Sequence, residues 1–348
     1  MSSHHDPSEH DDRDEDLETI QLSHGSGGTM MHRLIREYFV PAFDIKTLSD
    51  SAVVDIPAKQ KLAITTDSYV VSPLFFPGGD IGTLAICGTV NDLAVSGARP
   101  LYLTAGFIIE EGFPVSDLER ILNSMKSLAD KTGVAVVAGD TKVVDKGKAD
   151  GVFINTAGIG VVYEGVTISS SEMKPGDKII LSGSIGNHGI SVMAERNGIS
   201  FEPQIMSDVR PLNNLVETIL RTSKNIRTMR DPTRGGLATT LKEMANDSGY
   251  GVTLFENAVR IQSGVRGACE LLGLDPLYVA NEGILVAVVA NGDADKLIYE
   301  MKKHTFGRDS AIIGEVSEKP EKTVLLKTDF GGTRIIDMLS GDQLPRIC

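Results

Sequence analysis

Short apolar runs of β type recur along the chain, at Leu62 to Thr65, Leu101 to Ile109, Val134 to Ala138 and Val152 to Val162. Between them, Thr83 to Val95 is apolar at helical spacing and stops near Gly97. Asp117 to Lys131 follows with the same spacing, with Ser116 as its expected N-cap. Lys174-Pro175-Gly176-Asp177 reads as a turn that opens a second half of similar character. That half predicts strands at 178–182, 252–254, 283–289, 311–316 and 323–326, with helices at 189–197, 212–222, 237–247 and 294–303. Neither half alternates β and α uniformly. The expected class is therefore α+β, two mixed α/β domains rather than a doubly wound parallel sheet. The expected division is an acidic tail over 1–18, an N-terminal domain over 19–168, a second domain over 169–338 and a mobile arm over 339–348.

Charge changes this picture only at the start. Residues 1–18 hold eight acids and one base, which is −7 of the overall −13, and almost no apolar residues, so disorder is expected. His4, His5 and His10 there are read as part of a solvated tail. The remaining −6 carries no basic patch, which argues against a nucleic-acid partner. No apolar run reaches membrane-spanning length, and no basic-then-apolar leader opens the chain, so no membrane role is expected. Cys87, Cys269 and Cys348 are widely spaced without a C-x-x-C pair, which fits a reducing, cytoplasmic setting. Cys87 and Cys269 lie in apolar or helical stretches and read as core.

Candidate chemistry lies in the turns. Ser23-His24-Gly25-Ser26-Gly27-Gly28-Thr29 precedes an amphipathic helix, and reads either as a phosphate-binding loop or as a flexible turn. Asp50, Asp67, Asp92 and Asp140 are expected near element ends, where carboxylates converge and suit Mg²⁺ beside a nucleotide. Each alone also reads as a cap or turn residue. Asp231-Pro232-Thr233-Arg234-Gly235-Gly236 opens a helix, with Asp231 either its cap or a site residue, and Arg234 able to hold phosphate. Asn281-Glu282-Gly283 places a carboxylate at a turn into a strand, and His188, flanked by Asn187 and Gly189, reads as structural.

The chain ends on Leu344-Pro345-Arg346-Ile347-Cys348. A terminal thiol is better placed to react than a buried one, because chain ends are mobile unless tied down. Pro345 disfavours helix just before it, so a short extended arm is expected.

These motifs, in this order over residues 20–348, resemble the aminoimidazole-ribonucleotide-synthetase-like superfamily of ATP-dependent enzymes. Within it, the Gly-rich loop, Val90 to Ala94, Gly139 to Lys142, Asp231 to Gly236 and above all Pro345-Arg346-Ile347-Cys348 are similar to the HypE family. Selenophosphate synthetases carry a reactive Cys or selenocysteine in the Gly-rich region, which this chain lacks. Thiamine-monophosphate kinases lack the terminal thiol.

The resemblance implies a carbamoyl group received on Cys348 from a HypF-type carbamoyltransferase. ATP-dependent dehydration then gives a thiocyanate, whose cyanide passes to a HypC/HypD-type scaffold during [NiFe]-hydrogenase maturation. It also implies PurM-like domains and a homodimer whose N-terminal sheets pair into a β-barrel. By position in the matching motifs, Cys348, Lys142 and Glu282 are the implied catalytic residues. Gly25, Gly27, Gly28, Asp50, Asp67 and Asn91 are implied nucleotide contacts, together with Asp140, Thr141, Asp231, Thr233, Arg234 and Gly235. Asp50, Asp67, Asp92, Asp140 and Asp231 are the implied Mg²⁺ ligands. Lys142 stands equally as a base or as a phosphate contact. Two other readings are a small-molecule kinase with an incidental thiol, and a nucleotide-binding adaptor without turnover.

Overall fold

The computed structural model describes residues 18–21, 24, 29–44, 60–338 and 346–348. Gly25, Gly27, Gly28 and Asp50 lie outside the described residues, as do residues 1–17 and Pro345. Two short helices, α1 (Thr29–Leu34) and α2 (Val40–Phe43), are joined by a π-helical turn, Ile35–Phe39. Then come β1 (Leu62–Tyr69), β2 (Phe75–Phe76), β3 (Gly79–Asp80), α3 (Ile81–Val95), β4 (Ala98–Glu110), α4 (Val115–Thr132), β5 (Ala135–Val144) and β6 (Val152–Val162). The second half runs β7 (Lys178–Leu181), α5 (Asn187–Arg196), α6 (Asn213–Thr222), β8 (Ile226–Arg230), α7 (Gly236–Ser248), β9 (Gly251–Phe255) and α8 (Ser263–Leu272). It closes with β10 (Val286–Val289), α9 (Asn291–Lys303), β11 (Ala311–Ser317), β12 (Val324–Lys327) and β13 (Thr333–Ile336).

The first sheet has the order β1-β6-β4-β5, antiparallel except for the β4–β5 pair. It is open, not a closed barrel. Alternation gives it two different faces. Tyr69, Ile154, Phe107 and Thr141 share one row across the sheet and are all buried beneath α3 and α4. The opposite face leaves Leu62, Ile64 and Ile108 exposed at 40%, 73% and 44%. The second sheet, β13-β12-β9-β11-β7-β10-β8, is buried on both faces at its centre. Ile179, Leu181, Val286 and Val288 pack towards α7, while Ile180, Ala287 and Val289 pack towards α6 and α9.

α3 joins the two halves. It is apolar on every side, so it must be buried on every side. Asp80 caps its start, accepting from Thr83 N at 2.7 Å. One side meets the first sheet, where Thr89 and Thr156 hydroxyls stand 2.5 Å apart. Gly88 sits where a Cβ would lie 2.2 Å from the Tyr69 hydroxyl, so only glycine admits that phenol. The far side reaches the second half through Asn91. Its amide donates to Arg210 O (3.1 Å) and Glu282 O (3.3 Å) and accepts from Leu212 N (2.7 Å).

Two local expectations shift. α4 begins at Val115 after Pro114, so Ser116 lies inside its first turn rather than at the cap. α7 begins at Gly236 with Gly235 as its left-handed N-cap (φ 80°), so Asp231 does not cap it. Asp67 and Asp140 are not at element ends but lie within β1 and β5, whereas Asp92, in the last turn of α3, is near one as expected. Sequence spacing alone does not say that β1 and β5 run past these residues.

Candidate active site

The last three residues lie antiparallel against residues 70–72, just beyond edge strand β1. Val70 N donates to Cys348 O (3.2 Å) and Ser72 N to Arg346 O (3.4 Å). Arg346 Nε donates to Val70 O at 3.1 Å, and its guanidinium also pairs with Asp150. Arg196 Nη2 donates to Arg346 O at 2.5 Å. The Ile347 side chain is buried in the core of the first half, beside Val192 and Ala280 of the second. Residues 346–348 are thus held by contacts that no local sequence signal announces.

Seated this way, the Cys348 thiol accepts from Arg234 Nη2 at 3.3 Å. Burial pushes the thiol up to about 11, the Glu282 charge adds to this, and Arg234 opposes it. Glu282 is buried, and burial raises its carboxyl well above the usual range, helped by Asp231, Asp208, Asp67 and Asp92. Asp231 is raised to about 7 by burial and by the charge of Asp92. Asp92 is raised by burial and by Asp67, although Thr65 Oγ1 donates to it at 2.8 Å. Burial and neighbouring carboxylates thus push Glu282, Asp231 and Asp92 towards the neutral form.

The Glu282 loop is held by Asp208, whose Oδ2 accepts from Glu282 N (3.2 Å) and Gly283 N (2.9 Å). A Cβ on Gly283 would lie 1.8 Å from Asp208 O. Gly283→Ala is therefore expected to lower stability by about 2 kcal/mol or more, since the loop must move to admit the methyl. A urea melt checks this, and an unchanged midpoint would show that the loop yields freely.

Of the expected site residues, the structure gathers Cys348, Glu282, Asp67, Asp92, Asp231 and Arg234. Thr233 and Gly235 shape the turn that presents Arg234, with Thr233 N bonded to Asp231 O at 3.0 Å. Asn91 has its amide engaged in clamping the two halves. Asp140 and Lys142 are not brought in. They pair with each other at 3.0 Å, and both are more than half exposed. The register explains why: Asp67 lies in the row Thr156, Ala105, Gly139, whereas Asp140 shares the next row with Ser68, Asn155 and Gly106. Neighbouring rows point to opposite faces, so Lys142 faces outward with Ile108, and Thr141 inward. Within one chain, Lys142 and Cys348 do not meet. His188, read from the sequence as structural, meets the terminal residues through Ile347 O, while Arg196 and Asp208 are missed by sequence reading, since only contacts distant in sequence reveal them.

Both halves match the AIR synthase related protein family, the N-terminal domain over residues 48–162 and the C-terminal domain over 174–327. Carbamoyl dehydratase HypE of Cupriavidus necator is 52% identical over 94% of this chain and 95% of its own length. This chain belongs to the HypE family. The HypE of Escherichia coli is 43% identical over 95% of this chain and its whole length. Among solved structures, a HypE in complex with ATP superposes with a TM-score of 0.91 at 44% identity, covering 95% of this chain and all of the other. A chain from a HypE–HypF complex follows with a TM-score of 0.78 at 48% identity, covering 88% and 99%. Among the described residues of this HypE-family chain, no helix is long and apolar enough to cross a membrane.

Proposed function

We propose that this chain is an ATP-dependent carbamoyl dehydratase that acts on its own C-terminus. A carbamoyl group on Cys348 loses water to become a thiocyanate, the source of a cyanide ligand for [NiFe]-hydrogenase. The observation that carries this reading is the seating of Cys348 against Arg234, within the field of Glu282 and Asp67. Amide oxygen is a poor leaving group. Transfer of a phosphoryl group from ATP makes it leave as phosphate, and the amide nitrogen gives up its protons. Arg234 stands where it can hold a phosphate as well as the thiol. Burial and the neighbouring carboxylates push the Glu282 carboxyl towards its neutral form in the free chain. It acts as a base only once positive charge joins the site and brings its carboxyl back down.

Asp67, Asp92 and Asp231 fit Mg²⁺ by donor chemistry, being hard oxygen ligands; Arg230 offsets part of the charge on Asp92 and Asp231. Among the described residues, no three His, Cys, Asp or Glu side chains already stand in metal-ligating geometry. Mg²⁺ commonly uses one or two carboxylates and completes its shell with nucleotide phosphates and water. When bound, it supplies charge compensation at the phosphoryl group. Asp50 and the Gly25, Gly27 and Gly28 loop belong to the same proposed nucleotide site.

The sign of the pH dependence follows from Asp231. Its carboxyl titrates near 7 in the fold against an ordinary 3.8, so it holds a proton across that window. Fold stability contributed by this group falls as pH rises from 3.8 towards 7, because the unfolded carboxyl ionises first. Mg-ATP binding must displace that proton, so affinity is expected to rise between about pH 6 and pH 8 with net proton release. Calorimetry in two buffers of different ionisation enthalpy reads the release directly. Equal heats in both buffers would remove Asp231 from the metal site.

Loading is assigned to a HypF-type carbamoyltransferase and unloading to a HypC/HypD-type scaffold, in the cytoplasm. The arm over 339–348 must therefore leave its seat to be loaded. The exposed row of Leu62, Ile64 and Ile108 suits a homodimer in which two first sheets face each other as a barrel. Asp140 and Lys142 lie on that same face. Their part in catalysis then requires the first sheet of the other copy to bring them into a site.

A further inference from the structure

All three backbone carbonyls of the terminal tripeptide are held. Those of Arg346 and Cys348 meet Ser72 N and Val70 N across the short antiparallel pairing. The carbonyl of Ile347 points the other way and meets His188 Nε2 at 2.9 Å. His188 lies on α5, fully buried, with Phe76 edge-on to its ring at 5.4 Å. Its other nitrogen, Nδ1, stands 2.8 Å from Ser207 Oγ. That oxygen already accepts from Val209 N at 3.1 Å, so its own proton is free to go to Nδ1. The Ile347 carbonyl can only accept, so the imidazole proton lies on Nε2, aimed at it, and Nδ1 accepts from the Ser207 hydroxyl. Ser207 is itself fixed by its N–H to Pro77 O at 2.8 Å. The next residue, Asp208, holds the Glu282 loop. One dipeptide thus touches both the tail's seat and the loop of Glu282, whose charge acts on the thiol.

We propose that His188 is the positioning residue of the terminal thiol: its Nε2–H, directed by the Ser207 hydroxyl, holds the Ile347 carbonyl and so seats Cys348 beside Arg234 and Glu282. This deepens the reading of Cys348 as the carrier. Its test needs neither ATP nor a carbamoyl donor, so failure here leaves the dehydratase reading standing.

The test is the rate at which iodoacetamide alkylates Cys348 in the full-length protein, followed by mass spectrometry. Cys87 and Cys269 are buried to 0% and 1% exposure and serve as internal controls of folding. His188→Leu removes the donor, and the rate is expected to rise about two- to tenfold, the usual worth of one hydrogen bond. His188→Gln offers an amide N–H to the same carbonyl, and its rate should return to within about twofold of the unmodified protein. Ser207→Ala does not touch the tail but frees the tautomer, and it should also accelerate labelling. His188→Leu labelled at the original rate overturns the proposal. So does equal acceleration by His188→Leu and His188→Gln, which would make ring packing the cause. Should His188→Leu expose Cys87 or Cys269, Ser207→Ala decides, and an unchanged rate there overturns it.

Discussion

Cys348→Ala is expected to abolish thiocyanate formation completely while leaving ATP binding intact. Incubated with a carbamoyltransferase, carbamoyl phosphate and ATP, the unmodified chain should gain a carbamoyl group and then lose one water in intact mass. The variant should show neither change. No other thiol can substitute: Cys87 is at 0% exposure within α3, and Cys269 at 1% exposure within α8. Burial raises both thiols, which removes what thiolate character they had. The fold should be unaffected, because the tail is held by its backbone carbonyls, by Ile347 and by Arg346, and not by the sulfur. A carbamoyl adduct that forms on Cys348 but keeps its water after ATP is added would rule out the dehydratase. ATP turnover with a free substrate that survives loss of Cys348 would favour a small-molecule kinase.

Glu282→Gln is expected to slow dehydration about a hundredfold or more, the usual cost of losing a positioned proton acceptor. The same change should leave the melting midpoint unchanged or raise it. A carboxyl pushed towards its neutral form by burial and by Asp231, Asp208, Asp67 and Asp92 opposes folding wherever it is free to ionise in the unfolded chain. An amide removes that opposition and keeps the shape. The backbone of residue 282, which receives Asn91 and donates to Asp208, is untouched. The combination of slower chemistry and equal or greater stability separates a proton carrier from a packing residue. Single-turnover mass spectrometry and a thermal melt read the two effects. Retained dehydration within about threefold would place the proton transfer on another group.

Much of the fold was legible along the chain. The helix near residues 83–95 and the strand at 178–182 declare themselves through periodicity, and the turn at Lys174-Pro175-Gly176-Asp177 through its own chemistry. The mixed α+β class followed from the irregular order of strands and helices. Strands at 226–230 and 333–336 escaped, being short and carrying charged residues.

The site divides in a similar way. Residue type and motif order nominated Cys348, Glu282, Asp67, Asp92, Asp231 and Arg234, because chemistry is written in side chains. The sequence alone also determined that the chain ends on a thiol and that its carboxylates suit a nucleotide and Mg²⁺. Only the tertiary structure decided which of them meet. A strand's period of two turns Asp140 and Lys142 away from Asp67, and this depends on pairing register rather than on spacing. It also decided that the tail is seated, through His188, Arg196 and Asp150, each more than a hundred residues distant along the chain. Contacts between such positions leave no local pattern, since each exists only once the two halves have closed on α3.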